Sequence, residues 1–375
     1  MKIGIDARYW GNKHTGIGRY VQNLVLNLAE IDTINQYVVF GGDELRLAIS
    51  QFPNFKWVQL TTRPYSILEQ IINPIIFMRQ KLDLLHVPHF NAPILYFGKY
   101  ILTIHDLIKH LSIGRATTTL PYPVYLVKHL VYRLSVRLNL LRSDQIIVPA
   151  NYWKEYLVNN FALSKNKIHV TYEAVPKLFS QKTKLKKSEV LNKYGLNQPY
   201  IVYTGNLYPH KNVPFLVEAV RQFNACHEHQ LELAIACARD AVFKNSIKPE
   251  PVIKYLGYVP DEELMVLFQG ALALVQPSLI EGFGLTGLEA MSVGLPVLSS
   301  NATCLPEIYK DAALYFNPRN LVELVRQLDN IFSNHAIAQR LILAGRKRIK
   351  YFNFSKMSRQ TLAVYKLAAS KSELS

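Results

Sequence analysis

Glu281-Gly-Phe-Gly-Leu-Thr-Gly-Leu-Glu289 sets two carboxylates on either side of a glycine-rich turn. An apolar run, residues 271–275, leads into it, and a helical pattern, residues 286–293, leads out. Strand, glycine loop and helix start together turn backbone N–H groups and the positive end of a helix toward a phosphate. The carboxylates cannot bind that phosphate, because like charges repel. They suit the neutral hydroxyls of a ribose and a sugar, and a phosphate with two polyols points to a sugar nucleotide. The same residues admit a plainer reading, since Thr286-x-x-Glu289 matches a capping box and the glycines match simple turn formers.

Other groups could join that chemistry. Tyr203-Thr-Gly205-Asn206-Leu-Tyr-Pro-His210-Lys211-Asn212 follows an apolar run, with Lys211 offering a flexible cation to a diphosphate and Asn206 a neutral donor. Thr15-Gly16-Ile-Gly18-Arg19 is a second glycine turn that opens a helix, short of a full dinucleotide fingerprint. His86, His89, His105 and His110 cluster in the first half. His86-x-x-His89 lacks the helical context of a zinc site, so no metal is expected. His105 closes an apolar run and is placed to bond a sugar hydroxyl or stabilise charge.

Positioning such groups requires alternating strands and helices, and the chain has them. Expected strands in the first half are 2–6, 37–40, 56–60, 84–87, 100–105, 145–148 and 167–171, with a helix at 18–31. Residues 175–188, with Pro176 and five lysines, read as a linker. Alternation restarts with strands 200–204, 231–236, 252–256, 271–276 and 297–300, and helices 213–225 and 261–270 between them. The expected architecture is α/β: two Rossmann-like, doubly wound domains, 1–176 and 177–352, with ligand in the cleft between them and a segment 353–375 returning to the first.

Length and composition agree. A chain of 375 residues with 49% apolar content has ample core and excludes bulk disorder. No apolar run approaches the roughly 18–20 residues of a membrane span. Met-Lys-Ile-Gly-Ile-Asp6 reads as a first strand, and three cysteines without metal spacing fit a reducing cytoplasm. The net charge of +16 is concentrated. Residues 63–142 carry ten Lys/Arg against Glu69, Asp83 and Asp106. The aromatic, basic segment Tyr122–Arg142 suits an anionic membrane surface at the inner face of the plasma membrane, or else a buried helix with snorkelling stems; nucleic acid is not favoured.

Together these residues resemble family 4 retaining glycosyltransferases of the B fold. The resemblance rests on the turn at 16–19, Leu85-His-Val-Pro-His89, Thr103-Ile-His-Asp106, residues 205–212, the two-glutamate element and Pro306-Glu307 after it. It implies an acceptor-binding first domain and a second domain that holds a nucleotide-sugar donor. Glu289 would bind ribose and Glu281 the transferred sugar, with Gly282, Phe283, Gly284, Leu285 and Thr286 presenting the loop. Lys211 would neutralise the leaving diphosphate, His105 would lie over the donor sugar, and Gly16 and Gly18 would line the cleft. Many relatives carry arginine where this chain has Asn206. The run Asn-Leu-Tyr-Pro-His-Lys looks more like bacterial mannosyltransferases, which favours GDP-mannose over a UDP-sugar. No cofactor is implied, and no Asp-x-Asp metal motif is present. The implied reaction moves a hexose to a glycan or polyprenyl-linked acceptor in surface polysaccharide synthesis. An epimerase, a phosphorylase or a silent sugar-nucleotide-binding protein of the same fold are the alternatives.

Overall fold

A computed structural model of the chain describes residues 1–11, 15–180, 183–197, 199–237 and 250–370. Lys182 of the expected linker and the last five residues lie outside these. The chain divides into two units, one of Met1–Leu107, Leu120–Ala174 and Asn353–Ser375, the other of Ile108–Thr119 and Val175–Phe352.

The first unit is built on β1 (Lys2–Asp6), β2 (Gln36–Gly41), β3 (Phe55–Gln59), β4 (Leu84–Val87), β5 (Tyr100–Thr103), β6 (Gln145–Val148) and β7 (Ile168–Val170). They pair in parallel in the order β3-β2-β1-β4-β5-β6-β7. The largely buried, mostly apolar central strands β1, β2, β4, β5 and β6 are those of a sheet covered on both faces, while the edge strands β3 and β7 are more exposed. The strand expected to reach His105 stops at Thr103, although Ile104 still donates to the carbonyl of Ile147 at 2.8 Å. The helix Phe354–Ser370 packs on the helix Thr15–Ile31 and sends Phe354, Met357, Val364 and Tyr365 into this unit's core. Tyr365 also has a polar anchor: its hydroxyl lies 2.7 Å from Nδ1 of buried His86, whose Nε2 meets Thr103 Oγ1 at 2.8 Å. Burial, with a smaller contribution from the charge of His105, pushes the pKa of His86 down to about 3, so it serves as a neutral strut.

The second unit contains β8 (Tyr200–Thr204), β9 (Glu232–Ala236), β10 (Ile253–Gly257), β11 (Leu274–Gln276), β12 (Val297–Ser300) and β13 (Ala313–Phe316). All are parallel, in the order β10-β9-β8-β11-β12-β13. In each sheet the strand order reverses direction beside its first strand, at β1/β4 and at β8/β11. Ligands of open α/β sheets sit beyond the carboxyl ends of strands at such switch points. Because Leu274 pairs with Val202, β8 and β11 end level, and the loops that follow them leave side by side.

The linker region is partly anchored. Phe179 is buried against Phe268, with ring centroids 6.3 Å apart, and its carbonyl accepts from Ser292 Oγ. The helix Tyr122–Arg142 buries only Val136, Asn139 and Leu140. Val127, Leu130, Val131 and Leu134 are exposed, so the buried-helix alternative does not hold.

Candidate functional site

The loop after β8 holds Lys211 and the loop after β11 holds Glu281. Three contacts bind the two loops together. Leu279 N–H donates to the carbonyl of His210 at 2.7 Å. Asn212, in left-handed backbone, reaches the carbonyls of Pro277 and Pro318. Lys211 Nζ donates to Glu281 Oε1 at 2.7 Å. The same oxygen accepts from Gln276 Nε2 at 2.9 Å and from Ser278 Oγ at 2.7 Å. Three donors therefore converge on one carboxylate oxygen. The pair is mostly enclosed, with side-chain exposures of 17% for Lys211 and 9% for Glu281. Burial would raise the pKa of Glu281, but Lys211 and the two neutral donors outweigh it and hold the group below the usual carboxylate range.

The glycine loop is shaped by Tyr309, which is fully buried. Its hydroxyl lies 2.5 Å from the Gly284 carbonyl oxygen and 2.5 Å from Gln276 Oε1. Gly284 has φ +95°, and a Cβ there would come within 2.5 Å of that hydroxyl; at Gly287 a Cβ would meet it at 2.3 Å. Both glycines are thus needed to seat the loop on the tyrosine. The helix Leu285–Ser292 starts directly after Gly284, which acts as N-cap without any side-chain cap bond. Thr286 lies inside the first turn, so the capping-box reading of Thr286 and Glu289 fails. Gly287 N–H donates to the Gly284 carbonyl at 3.2 Å, while Leu285 and Thr286 stand at the positive end of the helix, where amides have no acceptor one turn back. Glu289 is buried one turn into this helix, Phe283 is buried against Phe352, and Gly282, Leu285 and Thr286 are half-buried.

Asn206 uses its own backbone to shape the neighbouring loop. Its carbonyl accepts from Tyr203 Oη at 2.5 Å, and Gly205 before it has φ +144°. His210, beside the pair, has a pKa lowered to about 4, mostly by burial and then by the charge of Lys211.

In the first unit, His105 Nδ1 lies 2.8 Å from Glu173 Oε1 and Nε2 lies 3.2 Å from the carbonyl of Pro88. The ring stands edge-on to Tyr20 at 4.6 Å. Gly16 is open, with nothing near the position of a Cβ, at the start of the helix Thr15–Ile31. Gly18 is not open: a Cβ would meet the carbonyl oxygens of Gly11 and Tyr9 at 1.9 and 2.7 Å, so its lack of a side chain lets the helix rest on the loop after β1. Among the described residues, no group of three or more His, Cys, Asp or Glu is placed to hold a metal ion.

The structure therefore joins Lys211, Glu281 and the glycine loop in the second unit. Gln276, Ser278, Tyr309 and Glu173 had escaped notice. Gln276 and Ser278 could have been found as polar residues at the carboxyl end of an apolar run, whereas Tyr309 and Glu173 carry no local signal.

Comparison with known proteins gives a family for each half of the chain. Residues 183–348 match the family model for glycosyl transferases group 1, and residues 14–177 match that for glycosyltransferase family 4. O-antigen chain mannosyltransferase B of Escherichia coli is 27% identical over 377 residues, covering 94% of this chain and 96% of that protein. MMP alpha-(1->4)-mannosyltransferase of Mycolicibacterium hassiacum is 27% identical over 223 residues, 57% of this chain and 52% of its own. Sucrose-phosphate synthase from Thermosynechococcus elongatus superposes with a TM-score of 0.75 at 17% identity, covering 99% of this chain and 100% of that one. Anabaena HepE in complex with UDP and glucose gives 0.72 at 15%, covering 98% and 99%. At these identities the structural likeness is one of fold.

Proposed function

The chain belongs to the group 1 glycosyltransferases, with a first half of the family 4 type and the B fold, and we propose that it moves mannose from GDP-mannose, with retained configuration, to a glycan acceptor. Its relatives place it among transferases of polysaccharide synthesis. The observation that carries the reading is the convergence of Lys211, Gln276 and Ser278 on one oxygen of Glu281, four residues before the start of the helix Leu285–Ser292.

Each part has a task in that reaction. Negative charge grows on the diphosphate as the glycosidic bond breaks, so fixed positive groups at that point lower the barrier. Lys211 and the Leu285 and Thr286 amides at the start of the helix Leu285–Ser292 supply them. Glu281 Oε2 accepts a hydroxyl of the transferred sugar, and its other oxygen is locked so that the carboxylate cannot turn away. Glu289 takes the ribose hydroxyls, and Asn206 adds a neutral donor. In the first unit, His105 is oriented by Glu173 to bond a sugar hydroxyl, and Gly16 leaves room for substrate. Mannose is favoured by the mannosyltransferases among the relatives, and GDP as its carrier by the residues around Lys211.

A lipid-linked acceptor would bring the protein to the inner face of the plasma membrane. The exposed apolar side chains of the helix Tyr122–Arg142, with Lys128, Arg133 and Arg137, support docking there. Each basic residue near an anionic surface contributes about 1 kcal/mol. Cosedimentation with anionic vesicles checks this, and wild type that ignores them at low salt removes the membrane from the reading.

The reaction itself is tested by mixing GDP-mannose with mannose oligosaccharides and following GDP release and product. Acceptor-dependent GDP release with a longer oligosaccharide is expected. A changed sugar without acceptor would mean an epimerase, and no turnover of any nucleotide sugar would mean a silent binding protein.

A further inference from the structure

The switch point of the first sheet holds a second set of polar groups, and these surround a tyrosine. Arg8, just past β1, is clamped between Asp6 at 2.7 Å and Glu69 at 2.8 Å, with all three side chains almost fully buried. Its NH1 also reaches the carbonyl and hydroxyl oxygens of Thr62 at 3.3 Å. Thr62 belongs to the loop 60–66 that leaves β3 at the edge of the sheet. Arg8 therefore ties that loop across the carboxyl ends of the central strands, to where β4 ends. Glu69 then accepts the N–H of Tyr65 at 2.9 Å, as well as the amide of Asn91.

Tyr65 is held in an unusual way. Its φ is +64°, a left-handed backbone that bulky residues rarely adopt. Its hydroxyl oxygen lies 3.1 Å from His89 Nε2. His89 accepts Asn91 N–H at Nδ1, so in the neutral ring Nε2 is the donor toward the tyrosine. Behind it, His89 packs on Tyr9 and Phe90. Yet the residue held at both its backbone and its hydroxyl is 56% exposed. Backbone strain of this kind persists where the surroundings over-determine it, and it clusters at ligand sites.

We propose that Tyr65 is the stacking platform for a sugar ring of the acceptor. A pinned aromatic face offers apolar contact to the C–H face of a pyranose, while the polar groups around it suit the hydroxyls at the ring's edge. Its place at the switch point of a doubly wound sheet is where such an open sheet takes its ligand. The proposal rests on the reading of the first unit as the acceptor side.

Tyr65→Gly tests it, because glycine takes the left-handed backbone without strain. Melting temperature is expected to hold or rise, while KM for a short α-mannose oligosaccharide rises about tenfold and KM for GDP-mannose stays unchanged. Tyr65→Phe, which keeps the face, is expected to stay within about threefold of wild type. An unchanged acceptor KM in Tyr65→Gly overturns the proposal, as does a lower melting temperature with both KM values raised. Saturation-transfer NMR of the same oligosaccharide without nucleotide separates this from the choice of donor. Wild type should saturate the sugar protons and Tyr65→Gly should not, even where GDP-mannose proves the wrong donor. Wild type that saturates none of them overturns the platform whatever the donor.

Discussion

The two sheets share a topology and differ in what their switch points do with charge. Beside β8 and β11, one lysine meets one carboxylate, and the two side chains keep exposures of 17% and 9%. Beside β1 and β4, one guanidinium is enclosed by two carboxylates and a loop, with side-chain exposures of 3% for Arg8 and 1% for Glu69. Burial alone would lower the pKa of Arg8, but Asp6 and Glu69 hold it well above the ordinary value. The first arrangement leaves its charges available to a ligand, and the second uses them to hold a loop and its tyrosine in place. Position in a fold thus says where a ligand can sit, and burial says which charges can meet it.

Removing each cation separates the two roles. Arg8→Ala leaves two buried carboxylates uncompensated, and breaking a buried pair in this way costs about 3–5 kcal/mol. Urea unfolding should show that loss. Lys211→Ala leaves a single carboxylate, Glu281, that still accepts from Gln276 and Ser278, so its loss of stability should be much smaller. Equal destabilisation by the two variants would erase the distinction.

A smaller effect sharpens the picture of the second site. The folded pKa of His210, about 4, lies below its ordinary value of 6.5. Its contribution to stability is complete above 6.5. It falls as pH drops from 6.5 toward 4, because the unfolded chain takes up the proton first, and it levels off below. His210→Gln keeps the backbone bond to Leu279 and should flatten the stability curve in that window. A wild-type curve already flat between pH 6.5 and 4 would show that His210 is not held neutral.

Much of this was legible in the sequence, for physical reasons that vary along the chain. The bounds of β1, β4, β6, β8 and β12 are those expected from short runs built around apolar residues, since a strand covered on both faces is largely apolar. The edge strand β13 escaped notice, being four residues long and following the polar Lys310-Asp311. Glu281 and Lys211 announced themselves through neighbouring glycine and strand signals. Tyr309 could not, because it meets Gly284 only after the chain has passed through β12 and turned back. Asp6, Arg8 and Glu69 were unread for the same reason, as nothing local links residues 61 positions apart. The pattern of Tyr122–Arg142 showed a basic, aromatic helix but could not say which face is buried, and the structure leaves most of it exposed.

The central claim is that the nucleotide sugar is held by the second sheet's switch point and not by the first. Calorimetric titration of GDP-mannose into wild type, Lys211→Ala, Lys211→Ala/Glu281→Gln and Tyr65→Gly tests it directly. Lys211→Ala should bind far more weakly, since it removes a cation and unmasks the Glu281 carboxylate beside the diphosphate. The double variant should recover part of the loss, because residues in direct contact do not act additively. Tyr65→Gly should bind like wild type. Donor affinity that is indifferent to Lys211, or that falls in Tyr65→Gly alone, would contradict the account.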